Sequence, residues 1–484
     1  MHRARSTWCL LVGLVALARV AIGAPTVDPP PTDDAPQAAT GETDAGMASW
    51  LRRARAAQSS TRTHLRAADH LICADASFVS YRRSDAQPDV ADQWYVASQL
   101  WADAELLRAT ASAPALAADA TWSPDRPLSP SDDDARCHLT KGFRFLDRLR
   151  DSGGYFARAA PDGSNVAQGL HYADDNAVAG LTLLAAAEVE PDPSARQRHL
   201  DAAREVASFL TTSGLWDEMF GGGFWWNSNK GDRWEGKPAQ ANALAALFFA
   251  RLATVTGDDE HRAWAVRTLG WLDAVLYDPG ARLYRWSVRY EDMKNRTGGP
   301  IFYSRYFNYD QAIAIEAQIQ TAMLDGRADR LDRAREIGRV MHSALWNPTH
   351  GGYNLEVGVD RIYASYGAWA SLGHLALFDL DGDPAWLEMA RANAEALDAM
   401  FRRADGGYGW RHFRCVTPIE RSRPGCEGGE SVWVVDQTRD GAAQAWMQHL
   451  QAAIARRLAS GRPGAQSVDF SPNAVQISRR RAPA

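Results

Sequence analysis

From residue 48 onward, apolar residues return every three or four positions in segment after segment. That spacing lines one face of an α-helix. The periodic stretches predict helices over 48–71, 92–110, 133–149, 174–187, 194–212, 238–256, 259–276, 309–324, 328–345, 366–378, 384–401 and 437–458. No comparable run alternates polar and apolar residues as a half-buried strand would.

The connections between these segments alternate in length. Short ones fall at 189–192, 257–258, 325–327 and 379–383. The long ones open on a glycine pair and an aromatic: Gly153-Gly154-Tyr155, Gly222-Gly223-Phe224, Gly351-Gly352-Tyr353 and Gly406-Gly407-Tyr408. The remaining long connection, 277–308, lacks that opening and carries Gly298-Gly299 instead. A turn repeated this way marks an internal repeat of helical hairpins. Helices after long loops are small and apolar all round, as in 241–250 and 312–317, and belong inside. Those after short loops carry Arg and Glu along one face, as in 196–205 and 330–339, and belong outside. The pattern predicts an all-α fold, a six-hairpin (α/α)6 barrel with every long loop on one rim. An open α-solenoid is the alternative, with less need of a loop-covered rim.

Composition changes this picture little. A net charge of -6 gives no reason to expect nucleic acid or an anionic membrane as partner. Eighteen Trp ask for a use beyond core filling. His2, Arg3 and Arg5, an apolar run over 8–17 and the small residues Ala21 and Gly23 read as a secretory signal over 1–23. Residues 24–46, rich in Pro, Asp, Thr and Ala, read as a disordered linker, 47–459 as the helical domain, and 460–484 as a disordered basic tail. Secretion or export to a periplasm is therefore expected. Four cysteines remain after signal removal, an even number that suggests disulfides in any of three connectivities, of which Cys415–Cys426 with Cys73–Cys137 is favoured. Their spacing fits no zinc site.

The candidate chemistry sits at a loop-to-helix junction, His171-Tyr172-Ala173-Asp174-Asp175-Asn176. One Asp at a helix start is explained as a cap. A second beside it sets two like charges together and raises the pKa of one. Successive helical residues place such carboxyls about 5 Å apart, the spacing of a retaining glycosidase pair. Asp310, opening the helix two hairpins on, is a candidate third carboxylate, and His171 a candidate sugar or loop contact. Aromatics crowd the long loops, among them Trp225, Trp226, Trp286, Tyr303, Phe307 and Trp410, and suit stacking on sugar faces. Trp94, Trp101, Trp264, Trp271, Trp369, Trp386 and Trp446 lie within helices and read as core.

Three of these stretches, Tyr172-Ala173-Asp174-Asp175-Asn176-Ala177, Gly221-Gly222-Gly223-Phe224-Trp225-Trp226 and Asn308-Tyr309-Asp310-Gln311, resemble glycoside hydrolase family 76, the endo-α-1,6-mannanases and their relatives. The resemblance covers most of residues 94–458 and implies an (α/α)6 barrel and retention of configuration without metal or cofactor. It implies Asp174 as nucleophile and Asp175 as general acid/base. It further implies Tyr172, Trp225, Trp226, Asn242, Tyr309, Asp310 and Gln311 as substrate contacts, with Lys237 at a family lysine. Two departures stand out: Asp310 occupies a place where the family has Asn, and Ala177 and Val178 follow the acid pair where bulky aromatics are usual. The expected partner is a polysaccharide or oligosaccharide, bound by a monomer with no nucleic-acid or membrane partner beyond the signal peptide. Rival readings on the same fold are a glycan epimerase, a uronide hydrolase, a transglycosylase or a non-catalytic glycan-binding protein. No His pair falls at matched inner-helix starts, which argues against the epimerase.

Overall fold

Among the described residues, twelve helices of seventeen or more residues carry the architecture. The computed structural model describes residues 39–67, 77–112, 132–168, 170–230, 236–416, 418–422, 425–427 and 432–460. The expected signal, Cys73 and the tail beyond Ser460 lie outside them. Contacts divide the chain into residues 1–40 and 41–484, and the helical architecture belongs to the second unit.

The helices are α1 (Ala39–His64), α2 (Gln93–Ser112), α3 (Asp132–Arg148), α4 (Ala173–Val189), α5 (Pro193–Thr212) and α6 (Ala239–Thr256), then α7 (Asp259–Val275), α8 (Asn308–Asp325), α9 (Ala328–Leu345), α10 (Ala364–Asp381), α11 (Pro384–Phe401) and α12 (Gly441–Ala459). Even-numbered helices touch in sequence, α2 to α4, α4 to α6, α6 to α8, α8 to α10 and α10 to α12, and α12 returns to α2. The ring is closed, which removes the solenoid alternative. These inner helices are buried on nearly every face, as α4 and α6 show. Close approach depends on small residues: a Cβ added at Gly180 in α4 would stand 2.4 Å from the Phe248 ring of α6. The partners α5, α7, α9 and α11 bury one side and expose charge on the other.

Sequence dictates the two kinds of turn. Short inner-to-outer connections end in Asp192, Asp258 and Asp383, whose carboxylates cap α5, α7 and α11 by accepting from backbone N–H groups. Each outer-to-inner connection starts as a miniature hairpin that pairs a residue at the outer helix end with an aromatic: Arg66 with Tyr81, Arg150 with Tyr155, Trp216 with Phe224, Tyr277 with Tyr284, Trp346 with Tyr353 and Arg402 with Tyr408. All six aromatics are buried. In the loop lacking the glycine pair, Asp278-Pro279-Gly280 makes the turn and Tyr284 takes the aromatic place.

Three helix boundaries differ from the sequence reading by about four residues or more. Helix α1 begins at Ala39, so 39–46 of the expected linker is helical, and it ends at His64 because Arg66–Ala67 pairs with Ser80–Tyr81. Helix α12 begins at Gly441, because Trp433–Asp436 is a strand and Asp440 caps the helix by accepting from Ala443 N. The long loops also hold sheet: Lys237–Pro238, Ser287–Asp292 and Thr297–Tyr303 form one, and Asn354–Glu356, Val359–Tyr363, Arg411–Arg414 and Trp433–Asp436 another. Cys415 and Cys426 form a disulfide. Among the described residues no helix is long and apolar enough to cross a membrane.

Candidate active site

Helix α4 starts under tight constraint. Tyr172 is extended and bridges Asn227, and Ala173 N donates to Trp226 O at 2.8 Å. The Asn176 side chain accepts from Tyr155 N at 2.7 Å and donates to Tyr172 O at 2.8 Å. No side chain caps the helix at its N-cap residue, Tyr172. Of the two aspartates in its first turn, Asp174 accepts from a helix N–H and Asp175 does not. Asp174 Oδ1 accepts from Asp175 N at 3.0 Å, and Asp174 Oδ2 accepts from Trp226 Nε1 at 3.1 Å. No hydrogen bond from a described residue reaches the Asp175 carboxyl. Gln93, opening α2, donates to the Asp175 backbone oxygen at 2.9 Å and ties α4 to its neighbour.

The electrostatics divide the pair. Both side chains are under a tenth exposed, Asp174 at 6% and Asp175 at 9%. Burial raises the pKa of Asp174, and the Trp226 and backbone hydrogen bonds oppose the rise. Burial raises that of Asp175 further, reinforced by the charges of Asp174 and Asp92 and opposed by Arg83. One carboxyl is held nearer the ionised form and its neighbour is held protonated. Such a split separates an anionic group from a proton donor.

The pair lines a cavity of about 740 Å³ reached by the N-terminal ends of all six inner helices, through Asp92 and Trp94, Tyr172 with Asp174 and Asp175, Gln240, Tyr309, Ser365 and Tyr366, and Asp440 and Ala442. Helix N-termini favour negative charge. Trp369 and Trp446, whose ring centroids are 4.4 Å apart, sit deeper on its lining. A run of rings forms one wall, with Phe307 buried behind it: Trp286 to Phe307 at 5.7 Å, Phe307 to Tyr309 at 5.4 Å, Tyr309 to Tyr366 at 4.7 Å, Tyr366 to Tyr363 at 5.5 Å and Tyr363 to Trp410 at 5.8 Å. Flat apolar rings with a few polar groups among them suit a hydroxyl-rich chain with apolar ring faces. No histidine is among the lining residues.

Of the expected site residues, Asp174, Asp175, Tyr172, Trp226 and Tyr309 meet at this cavity. The others do not line it. Trp225 turns away, donates to Asp217 at 2.7 Å and packs with Tyr290 and Met293. Asn242 accepts from Phe224 N at 2.7 Å and donates to Phe224 O and Pro238 O at 3.0 and 2.9 Å. Gln311 does the same for Tyr284, accepting from its N at 2.8 Å and donating to its O at 3.0 Å. Asn176 and Gln444 grip Tyr155 and Tyr408 in the same manner. These amides clamp the hairpin aromatics, and the bonds given for Asn242 and Gln311 run to backbone groups and not into the cavity. Asp310 is fully buried and off the cavity. His171 stacks on Phe156 at 4.3 Å, also off it. Lys237, buried, donates to Asp217 Oδ1 at 2.7 Å and to Gly222 O at 2.6 Å, and so holds the loop that delivers Trp226.

The additional carboxylates of the cavity are Asp92 and Asp440, at the starts of the first and last inner helices. Asp440 accepts from Tyr95 OH at 3.1 Å, and burial pushes it up to about 6. Asp92 Oδ2 lies 3.7 Å from Arg83 Nη1, and its pKa is also raised by burial. Sequence reading passed over both. Trp94, Trp369 and Trp446, read as core, line the cavity as well.

Fold and site together define a carbohydrate-processing (α/α)6 toroid with an aspartate pair at its mouth. Residues 162–319, which carry that pair, the Trp226 loop and the start of α8, match the model of glycosyl hydrolase family 76, so the family resemblance holds and the chain is a glycoside hydrolase. Among solved structures it is similar to a family 76 glycoside hydrolase from a bovine Bacteroides thetaiotaomicron strain, with 17% identity over 84% of this chain and 77% of that one and a TM-score of 0.62. It is similar also to an inactive variant of an α-1,6-mannanase of Salegentibacter sp. HEL1_6 in complex with α-1,6-mannotetrose, with 17% identity over 85% and 99% of the two chains and a TM-score of 0.57. A sugar epimerase from a ruminal bacterium shares the fold at 13% identity, over 81% and 98%, with a TM-score of 0.54. No curated protein matches the sequence.

Proposed function

We propose that this chain is an exported, retaining endo-α-1,6-mannanase. The observation that carries the reading is the Asp174–Asp175 doublet, unequal in environment, on the wall of an aromatic cavity. In the first step Asp174 attacks the anomeric carbon while Asp175 gives its proton to the departing glycosidic oxygen, leaving a glycosyl ester on Asp174. In the second, Asp175 takes a proton from water, the water oxygen attacks the same carbon, and Asp174 leaves as carboxylate. Two inversions give net retention. Trp226, bonded to Asp174, stabilises the anion released at the end.

The substrate class rests on the family match and on the Salegentibacter relative, an α-1,6-mannanase whose inactive form has two consecutive aspartates replaced. Export rests on the basic and apolar N-terminal pattern of the sequence. The test is digestion of α-1,6-mannan and a panel of other glycans, with the anomeric configuration of fresh product read by NMR. New reducing ends from α-1,6-mannan, first appearing as the α-anomer, are expected. A β-anomer first would overturn the double displacement, and an epimer without cleavage would overturn the hydrolase.

A further inference from the structure

Far along the chain from the acid pair, the turn after α9 folds down onto the end of α11 and the four-stranded sheet. His350 of that turn, His412 of strand Arg411–Arg414 and Trp433 meet ring to ring. Their centroids are 4.7 Å apart for His350–His412, 4.3 Å for His350–Trp433 and 4.8 Å for His412–Trp433. Met400 enters from α11, its Sδ 3.4 Å from His412 Nδ1. The turn closes over the same thioether: a Cβ built at Gly352, where φ is +76°, would stand 3.2 Å from Met400 Cε. None of the four residues lines the catalytic cavity.

Packing alone leaves one feature unexplained. Nε2 of His350 is buried without a hydrogen-bond partner, a costly arrangement unless a ligand completes it. The donor set is also chemically uniform. Two imidazoles and a thioether are soft or borderline ligands, a combination that suits Cu(I). His412 Nδ1 and Met400 Sδ, hydrogen-bonded at 3.4 Å, stand close enough to share one soft ion. Among the described residues no group of three His, Cys, Asp or Glu side chains offers a site to a harder ion. Trp433 presents an aromatic ring to the same spot, where a monovalent cation gains a cation–π contact.

We propose that His350, His412 and Met400 form a binding site for a soft monovalent cation, Cu(I), walled by Trp433. The site is separate from glycoside hydrolysis and stands or falls without it.

The test is an anaerobic titration of the full chain with Ag(I) as a spectroscopically silent probe, then with Cu(I) presented on a chromogenic chelator. Wild-type protein should withdraw about one equivalent and change its tryptophan fluorescence. Affinity should fall by about 10- to 100-fold or more in Met400→Leu and in His412→Ala. Trp433→Phe should keep the metal and lose most of the fluorescence change. Zn(II) should bind more weakly than Ag(I). Should His412→Ala fail to fold, Met400→Leu, which nearly conserves volume, decides alone. Failure of wild-type protein to take metal from the chelator, or uptake unaltered in a folded Met400→Leu protein, overturns the site. Equal retention of Zn(II) overturns its preference for soft ions.

Discussion

Trp226 Nε1 donates to Asp174 Oδ2 across 3.1 Å, while the adjacent Asp175 receives no such bond. The asymmetry arises because the Ala173–Trp226 backbone bond fixes the indole over the first aspartate of the turn and not the second. The bond lowers the Asp174 pKa against the rise that burial imposes. Trp226→Phe keeps a ring and removes the donor. The low-pH limb of kcat/KM, which requires Asp174 ionised, should then move to higher pH. A profile that falls uniformly without moving would assign Trp226 to substrate stacking alone.

Replacing either carboxyl should remove the chemistry and leave the fold. Asp174→Asn and Asp175→Asn should each lower kcat by about 10²- to 10⁴-fold, the range for a lost acid, base or nucleophile. Because an Asn carbonyl at 174 can still accept from Asp175 N and both carboxyls are costly to bury charged, melting temperatures should hold or rise. The checks are reducing-end release from mannan and a thermal melt. With an activated aryl mannoside, Asp175→Asn should lose less, since a good leaving group needs no proton.

Asp92 raises the pKa of both members of the pair through its charge. Asp92→Asn should therefore move both limbs of the pH profile to lower pH, the Asp175 limb more than the Asp174 limb. The stability consequence has a definite sign. Asp92, Asp174, Asp175 and Asp440 all have folded-state pKa values above the ordinary carboxylate value. Across that interval the folded chain holds more protons than the unfolded one, so these groups cost stability as pH rises through their raised values. Asp92→Asn removes one of the four, so its melting temperature should gain more at about pH 7.5 than at about pH 5. An equal gain at both would show that the charge at Asp92 is already neutralised, for instance by Arg83.

Why the acid pair could be read from sequence and Asp92 and Asp440 could not follows from connectivity. Asp174 and Asp175 are neighbours in the chain, so their proximity is covalent. Asp92 and Asp440 reach the cavity only because α12 closes onto α2. The helices themselves were legible, since inner and outer faces differ in composition and the glycine–aromatic turns repeat. The strands in the long loops were not, being two to seven residues long and lacking a sustained alternation. Trp369 and Trp446 are buried in the core as read, with Trp94 packed against it, and all three also line the cavity: in a toroid a residue deep within an inner helix can face the axis, where core and cavity floor coincide.

Asn242 and Gln311 pose the sharpest choice between scaffold and substrate contact. A polar residue in the first turns of an inner helix faces the cavity on one side of the helix and the hairpin aromatic on the other, and spacing along the chain does not distinguish them. Here both amides face the hairpin and are bonded to backbone groups of Phe224 and Pro238, and of Tyr284 and Phe307. Truncating either leaves buried backbone donors and acceptors unpaired, at about 1–3 kcal/mol for each group that water cannot reach. Asn242→Ala and Gln311→Ala should therefore lower stability by about 2–4 kcal/mol in denaturant titration. Below the melting transition, KM for mannan should stay near the wild-type value. Tyr309→Ala should do the reverse, raising KM with little change in stability, because its ring lines the cavity. A rise in KM for Asn242→Ala at wild-type stability would return that residue to the substrate.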